Sequence, residues 1–229
     1  MTRNLPTLLG AAVVLLVLPF VVPLVGLTSS TATQIVVLMI AALGLNMMMG
    51  YTGLVSFGHG VWFGIGAYVA ALAQKHLFAG QILLPILTGL VCVAVLSLVV
   101  GALMLRRRGV YFALMTLALS ALTFSIAFRW TAVTGGEDGL GGFTRDTLLP
   151  VDLSDNLTYY YFTALLGLGV LYLLIRVVRS PFGHVLVAIR ENQRRAEFQG
   201  YAVQRYKLGV FVLSAVVTAL GGILSGLRD

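Results

Sequence analysis

Acidic residues are missing from every long apolar run of this chain. The eight Asp and Glu residues all fall between or beyond those runs, and charged residues of both signs make up only 10% of the sequence. A soluble domain carries about 25% charged residues to cover its surface. With 59% hydrophobic residues and a mean hydropathy of +0.98, this chain has too little polar surface for water and reads as a polytopic membrane protein. The missing carboxylates also argue against a proton- or ion-coupled carrier, which uses intramembrane Asp, Glu or Lys as relays or ion ligands. His59 is the ionisable candidate within an apolar segment.

Lysine is nearly absent as well. The two that occur, Lys75 and Lys207, follow Gln74 and Tyr206, so no Gly-Lys pair and no G-x-x-x-x-G-K-[ST] sequence exists. An ATP site of that kind needs its Lys on the β- and γ-phosphates. If ATP drives this protein, another chain must hydrolyse it. The single cysteine, Cys92, lies in an apolar run, which excludes an intrachain disulfide and leaves it without a partner for a metal site. No metal and no cofactor is expected.

The net charge of +7 does not point to nucleic acid. The basic residues border apolar runs, as membrane topology signals do, and no aromatic-interleaved basic surface or zinc-finger spacing is present.

What the chain does have is apolar runs long enough to cross a bilayer, where about 20 residues are needed. Seven candidates lie near residues 7–27, 32–50, 59–74, 82–105, 109–129, 157–178 and 205–227. The first is too long for a signal peptide, is interrupted by Pro19 and Pro23, and lacks a clean cleavage site, so it is read as a retained span. Seven alternating spans with a cytoplasmic N-terminus place eleven of the fifteen Lys and Arg on one side: Arg3, Arg106, Arg107, Arg108, Arg176, Arg179, Arg190, Arg194, Arg195, Arg205 and Lys207. Lys75, Arg129, Arg145 and Arg228 fall on the other. The positive-inside rule therefore sets the N-terminus inside. The outer loop 130–156 gathers Glu137, Asp138, Asp146, Asp152 and Asp155 and contains TGGEDGLGG, whose spacing fits neither a calcium loop nor a phosphate loop. It reads as a turn held by its own backbone, with contact to an external partner as the other possibility.

The most unusual stretch is GLNMMMGYTGLVSFGHGVWFGIGAY, residues 44–68, with seven glycines from Gly44 to Gly66 and the polar groups Asn46, Tyr51, Thr52, Ser56 and His59. Glycine can serve close helix packing, as in Gly60-x-x-x-Gly64. Glycines and polar groups together point to an interrupted helix lining a cavity, because irregular backbone is tolerated at membrane depth only there or inside protein. A hydrolase reading would use Ser56 as nucleophile and His59 as base. It lacks a G-x-S-x-G elbow, an orienting third group and an oxyanion hole.

Residues 180–207, SPFGHVLVAIRENQRRAEFQGYAVQRYK, start with a Ser cap and a Pro at the first helical position. Glu191 and Arg195 are spaced as an i,i+4 pair, and Gly200 is placed to end the helix in the left-handed conformation. Such a helix either lies on anionic headgroups or docks a cytoplasmic protein.

Three ordered motifs together resemble the permease subunits of branched-chain amino-acid ABC importers, and among them the larger of the two permeases: GLNMMMGYTGLVSFGHGVWFGIGAYVAAL, RRRGVYFALMTLAL with TGGEDGL, and SPFGHVLVAIRENQRRAEFQGYAVQRYKLGVFVLSA. The resemblance implies an all-α polytopic transmembrane bundle of about seven spans, forming a single permease domain over 1–229. It further implies an interrupted helix near 44–60 and a cytoplasmic coupling segment at 180–204. By the same resemblance the partners are a second permease, two cytoplasmic ATPases and an external solute-binding protein. The resemblance also implies the bacterial inner membrane. Arg190, Glu191, Ala196, Glu197 and Gly200 would meet the ATPase, and Asn46, Tyr51, Thr52, Ser56 and His59 would lie on the substrate path. Phe198 and Gln199 stand where the family carries small or aliphatic residues. The family pattern continues with further helices, so the resemblance implies a C-terminally truncated chain. Branched-chain amino acids are the expected cargo, with urea or short amides as the alternative.

Overall fold

The computed structural model describes residues 5–24, 26, 28–78, 81–107, 109–140 and 155–228. Among these the regular structure is all helix, without a strand. The long helices are α1 (Leu5–Leu24), α2 (Ser29–Thr52), α3 (Gly60–His76), α4 (Leu83–Met104), α5 (Val110–Arg129), α7 (Asn156–Val178) and α10 (Val203–Gly226). They match the seven expected runs. Six of them are long and apolar enough to span a membrane, and α3 is shorter, with 17 residues. Shorter elements are α6 (Thr131–Thr134), a 3₁₀ turn at Gly136–Asp138, α8 (Pro181–Glu191) and α9 (Gln193–Phe198). Arg3, Arg108, Arg145, Asp146, Asp152 and the loop stretch 141–154 lie outside the described residues.

α10 is the hub. Within its most apolar stretch 61% of residues are buried, against 17% for α1 and α5 at the periphery. Small residues make this possible, because helices in lipid associate through close packing rather than through a hydrophobic drive. A Cβ on Gly222 would stand 1.9 Å from the Phe63 carbonyl oxygen of α3, and one on Gly44 would stand 2.5 Å from Thr218 Oγ1. α4 joins the same centre through Gly89 against Ile223 and Gly101 against Phe211. The pairing fixes direction. Val37, Ala41 and Gly44 of α2 meet Gly221, Thr218 and Ser214 in descending order, so α2 runs antiparallel to α10. His59, Phe63 and Ala67 meet Thr218, Gly222 and Gly226 in ascending order, so α3 runs parallel to it.

Two neighbouring tyrosines of α7 fasten the periphery. The Tyr160 hydroxyl donates to the Leu15 carbonyl of α1 at 2.6 Å, and the Tyr159 hydroxyl donates to the Leu224 carbonyl near the end of α10 at 2.6 Å. Asp155 caps the start of α7 by accepting from the Thr158 N–H at 3.2 Å.

Candidate functional site

The break expected in residues 44–68 is real, and its position is sharper than the composition indicated. α2 continues through Asn46 to Thr52 and ends at Gly53 in the left-handed conformation, φ +72°. The chain then runs without helix to His59 before α3 begins. Exposure alternates along this stretch: Thr52, Leu54, Ser56 and Gly58 are buried, while Gly53, Val55 and Phe57 are exposed. That period of two belongs to extended backbone.

The extended stretch folds back into the bundle. His59 meets α10 at the level of Gly44, which lies eight residues before Thr52 and so about 12 Å along the α2 axis. α3 therefore starts partway through the bundle. Two anchors hold the re-entrant stretch. On one side the Phe57 N–H donates to Thr116 Oγ1 of α5 at 3.1 Å, and Gly58 lies so close that a Cβ would stand 1.8 Å from the Thr116 carbonyl oxygen. On the other, His59 Nε2 lies 3.0 Å from both Ser214 Oγ and Thr218 Oγ1. Ser214 gives its proton to the Gly44 carbonyl at 2.5 Å, and Thr218 gives its own to the Ala41 carbonyl at 3.3 Å. With both hydroxyl protons committed, the imidazole proton resides on Nε2. Nδ1 is left as a bare acceptor, buried with no partner among the described residues, as is Thr52 Oγ1.

Ser56 takes no part in this cluster. The hydrolase arrangement of Ser56 and His59 is not formed, because the imidazole is turned to α10 and its hydroxyl partners spend their protons on helix carbonyls. Among the described residues no three His, Cys, Asp or Glu side chains gather where a metal ion could sit.

Above the re-entrant stretch, α3 and α5 enclose a groove of about 420 Å³. Gly60, Gly64 and Tyr68 form one wall, and Ser120, Thr123 and Ala127 the other. Trp130, Val133, Thr134 and Gly136 close the far end. The TGG turn there is tied to the end of α5 by a side chain: the Thr134 hydroxyl lies 2.5 and 2.8 Å from the Ala127 and Trp130 carbonyl oxygens that accept from it, and Gly135, Gly136 and Gly139 all have positive φ. No charged side chain of the described residues lines the groove. Asn46, Tyr51, Thr52, Ser56 and His59 do not line it either. Asn46 is exposed on α2, Tyr51 and Thr52 sit at its end, and Ser56 and His59 lie beneath the groove floor. Sequence reasoning missed Thr116, Ser120 and Thr123, and Ser214 with Thr218. The signal was present: hydroxyls three or four apart on otherwise apolar helices share one face.

The segment after α7 differs from the single helix expected. Ser180 caps α8, as its position predicted, accepting from the Gly183 N–H at 3.5 Å. The helix then breaks at Asn192, whose extended backbone, φ −155° and ψ 98°, lets its side chain cap α9 by accepting from the Arg195 N–H at 3.0 Å. Glu191 and Arg195 thus fall on separate helices and form no i,i+4 pair. Gly200, φ +88°, follows the end of α9 as expected. Val185, Ile189, Ala196 and Val203 make a small second core between α8, α9 and the start of α10. Lys207 Nζ donates to Gln193 Oε1 at 2.7 Å, Gln193 Nε2 donates to Glu197 Oε1 at 2.7 Å, and Phe182 stacks on Tyr206. Glu191, Arg194, Arg195, Glu197 and Phe198 face outward, Phe198 being 91% exposed. The Arg190 guanidinium instead donates back to the Gly50 carbonyl of α2.

A family model described as branched-chain amino acid transport system / permease component matches residues 27–228. The high-affinity branched-chain amino acid transport system permease protein LivM of Escherichia coli is 30% identical over 226 residues, covering 88% of this chain and 53% of that protein. The protein of the same name from Salmonella typhimurium is 29% identical, covering 97% of this chain and 57% of the relative. A probable branched-chain amino acid transport permease protein LivM from Methanocaldococcus jannaschii is 24% identical over 82% of this chain. The chain spans about half the length of the first two relatives. No solved structure matches it. Its apolar helices and these relatives make it a multi-pass membrane protein. With a family match that runs from 27 to 228, the chain belongs to the permease-component family of branched-chain amino acid transport systems.

Proposed function

We propose that this chain acts as a permease subunit of an ATP-driven importer, moving branched-chain amino acids across the bacterial inner membrane. The observation that carries the reading is the α8–α9 pair, a capped two-helix projection between two long helices of a chain in this family. Such a projection can transmit a rigid-body tilt from a docked subunit to the spans it joins. ATP hydrolysis then belongs to two separate cytoplasmic subunits. Glu191, Glu197 and Phe198 present the docking face, while Ala196 and Gly200 shape it. The basic residues of α8 and α9 support a cytoplasmic side for this end, and with it for the N-terminus. A second permease and an external solute-binding protein complete the assembly, the latter selecting the cargo.

The substrate path in this reading is the groove between α3 and α5. The Thr52–His59 stretch lies beneath the groove, before its first lining residue Gly60, with Asn46 and Tyr51 on α2. An uncharged lining suits a conduit that must release its cargo, because tight binding along a path slows exit. The same lining suits a neutral amide such as urea, which is the second reading. The test is uptake of leucine and of urea into proteoliposomes holding the assembled importer, with Gly64→Leu as the blocking variant. A Cβ at Gly64 meets nothing within 4 Å, so the new side chain enters the groove rather than a helix contact. Leucine uptake is expected to fall about tenfold or more with assembly retained. Unchanged uptake of both solutes would place the path elsewhere.

A further inference from the structure

We propose that Arg190 is the positioning residue that carries movement of the α8–α9 pair into the re-entrant stretch 53–59. This rests on the reading of that pair as the docking site of an ATPase. α2 ends by giving its carbonyls away one at a time. The Gly53 N–H bonds the Met49 carbonyl at 3.2 Å, and the Leu54 N–H bonds the Met48 carbonyl at 3.2 Å. Helix C-termini leave several carbonyls without backbone donors and carry a partial negative charge. The Gly50 carbonyl is one of them, and the Arg190 guanidinium supplies its donor. The Arg190 stem lies against the helix end as well: a Cβ on Gly53 would stand 3.2 Å from its Cγ. Gly53 is therefore doubly fixed, by its left-handed φ and by the arginine stem packed over it.

The attachments around this contact give it a direction. α8 and α9 are bound to the start of α10 by their shared core, by Lys207 on Gln193 and by Phe182 on Tyr206. That makes one body. The re-entrant stretch begins at Gly53, beside Arg190, and is pinned farther along at Phe57 to α5 and at His59 to the middle of α10. Arg190 reaches from the α8–α9 pair to the last turn of α2, immediately before the chain turns back. A tilt of the α8–α9 pair thus draws on the end of α2, and Gly53 is the pivot at which the draw becomes a displacement of Leu54 to Gly58. The Phe57–Thr116 hydrogen bond ties that stretch to α5 and is the contact released.

The test uses the full assembled complex with Cys92→Ser and a Ser56→Cys reporter, read by labelling with a water-soluble maleimide with and without a non-hydrolysable ATP analogue. With Arg190 present, nucleotide is expected to change the labelling rate at position 56 about tenfold. Arg190→Gln abolishes that change and lowers uptake about tenfold or more, the scale of a lost hydrogen bond from a charged donor. Arg190→Lys restores part of both, since an ammonium still donates to a carbonyl. A nucleotide-dependent change that survives in Arg190→Gln overturns the inference, as does its absence when Arg190 is present. Loss of the ATPase subunits from purified Arg190→Gln complex also overturns it, making Arg190 a docking residue. If nucleotide gates position 56 through Arg190 yet no leucine or urea is transported, the inference stands and the proposed cargo fails.

Discussion

The Tyr160 hydroxyl donates to the Leu15 carbonyl, and Leu15 is the residue whose helical donor Pro19 removes. Proline has no N–H to give to the carbonyl four residues earlier, and in a bilayer no water replaces it. α7 supplies the donor from outside. Tyr160→Phe should destabilise the protein by about 1 kcal/mol, the scale of an interhelical hydrogen bond in a membrane. In a Pro19→Ala background the helix donates for itself, so the cost of Tyr160→Phe should shrink toward zero. Thermal unfolding of the four variants in one detergent checks both values.

Glycines of the hub and of the periphery should respond oppositely to a methyl group. Gly222 faces the Phe63 carbonyl with no room for a Cβ, so Gly222→Ala should cost about 1–3 kcal/mol. Gly169 has open space around it, and Gly169→Ala should be neutral or stabilising by up to about 1 kcal/mol through helix propensity. Melting temperatures of the two variants decide this.

Neither Ser56 nor Ser214 is activated. Both should stay unlabelled by a fluorophosphonate probe in folded protein, detected by intact mass. Rapid labelling of either would restore the hydrolase reading.

Gln193→Ala removes an acceptor from the buried Lys207 ammonium, a loss worth about 1–3 kcal/mol for a charged group. Hydrogen exchange should accelerate in α9 while α10 beyond Val210 keeps its protection. Equal acceleration along α10 would show that the pair does not open as a local unit.

Phe198 contributes little to the fold, since its side chain touches solvent rather than core. Phe198→Asp should change stability by less than about 0.5 kcal/mol. Under the proposed function it should reduce co-purification of the ATPase subunits about tenfold, measured at fixed salt.

Much of this architecture was legible because lipid imposes few solutions. Runs of about 20 apolar residues become helices, since backbone groups in a bilayer must pair within the segment. Ser180 with Pro181 marks the start of α8, and Gly200 marks a helix end, through local sterics that the sequence states outright. The break at Asn192 was harder to read. Asn caps a helix start but also tolerates helix interiors, and only the burial of Ala196 against Val185, Ile189 and Val203 selects the capped form.

The polar residues divide in the same way. Composition marked residues 44–68 as a break, because seven glycines and a histidine make a poor plain span. It could not say that Asn46 remains helical, that the break begins at Gly53, or that His59 turns to Ser214 and Thr218, which lie more than 150 residues away in sequence. By itself the sequence determined the solvent, the long apolar helices, the Ser180 cap and the family, because composition and short local patterns carry each of them. Tertiary structure alone decided which carbonyl Tyr160 satisfies, where Arg190 points and which hydroxyl stripe faces the groove. Those outcomes depend on helix rotation and approach, and these are set by the summed close packing around α10 rather than by any local preference.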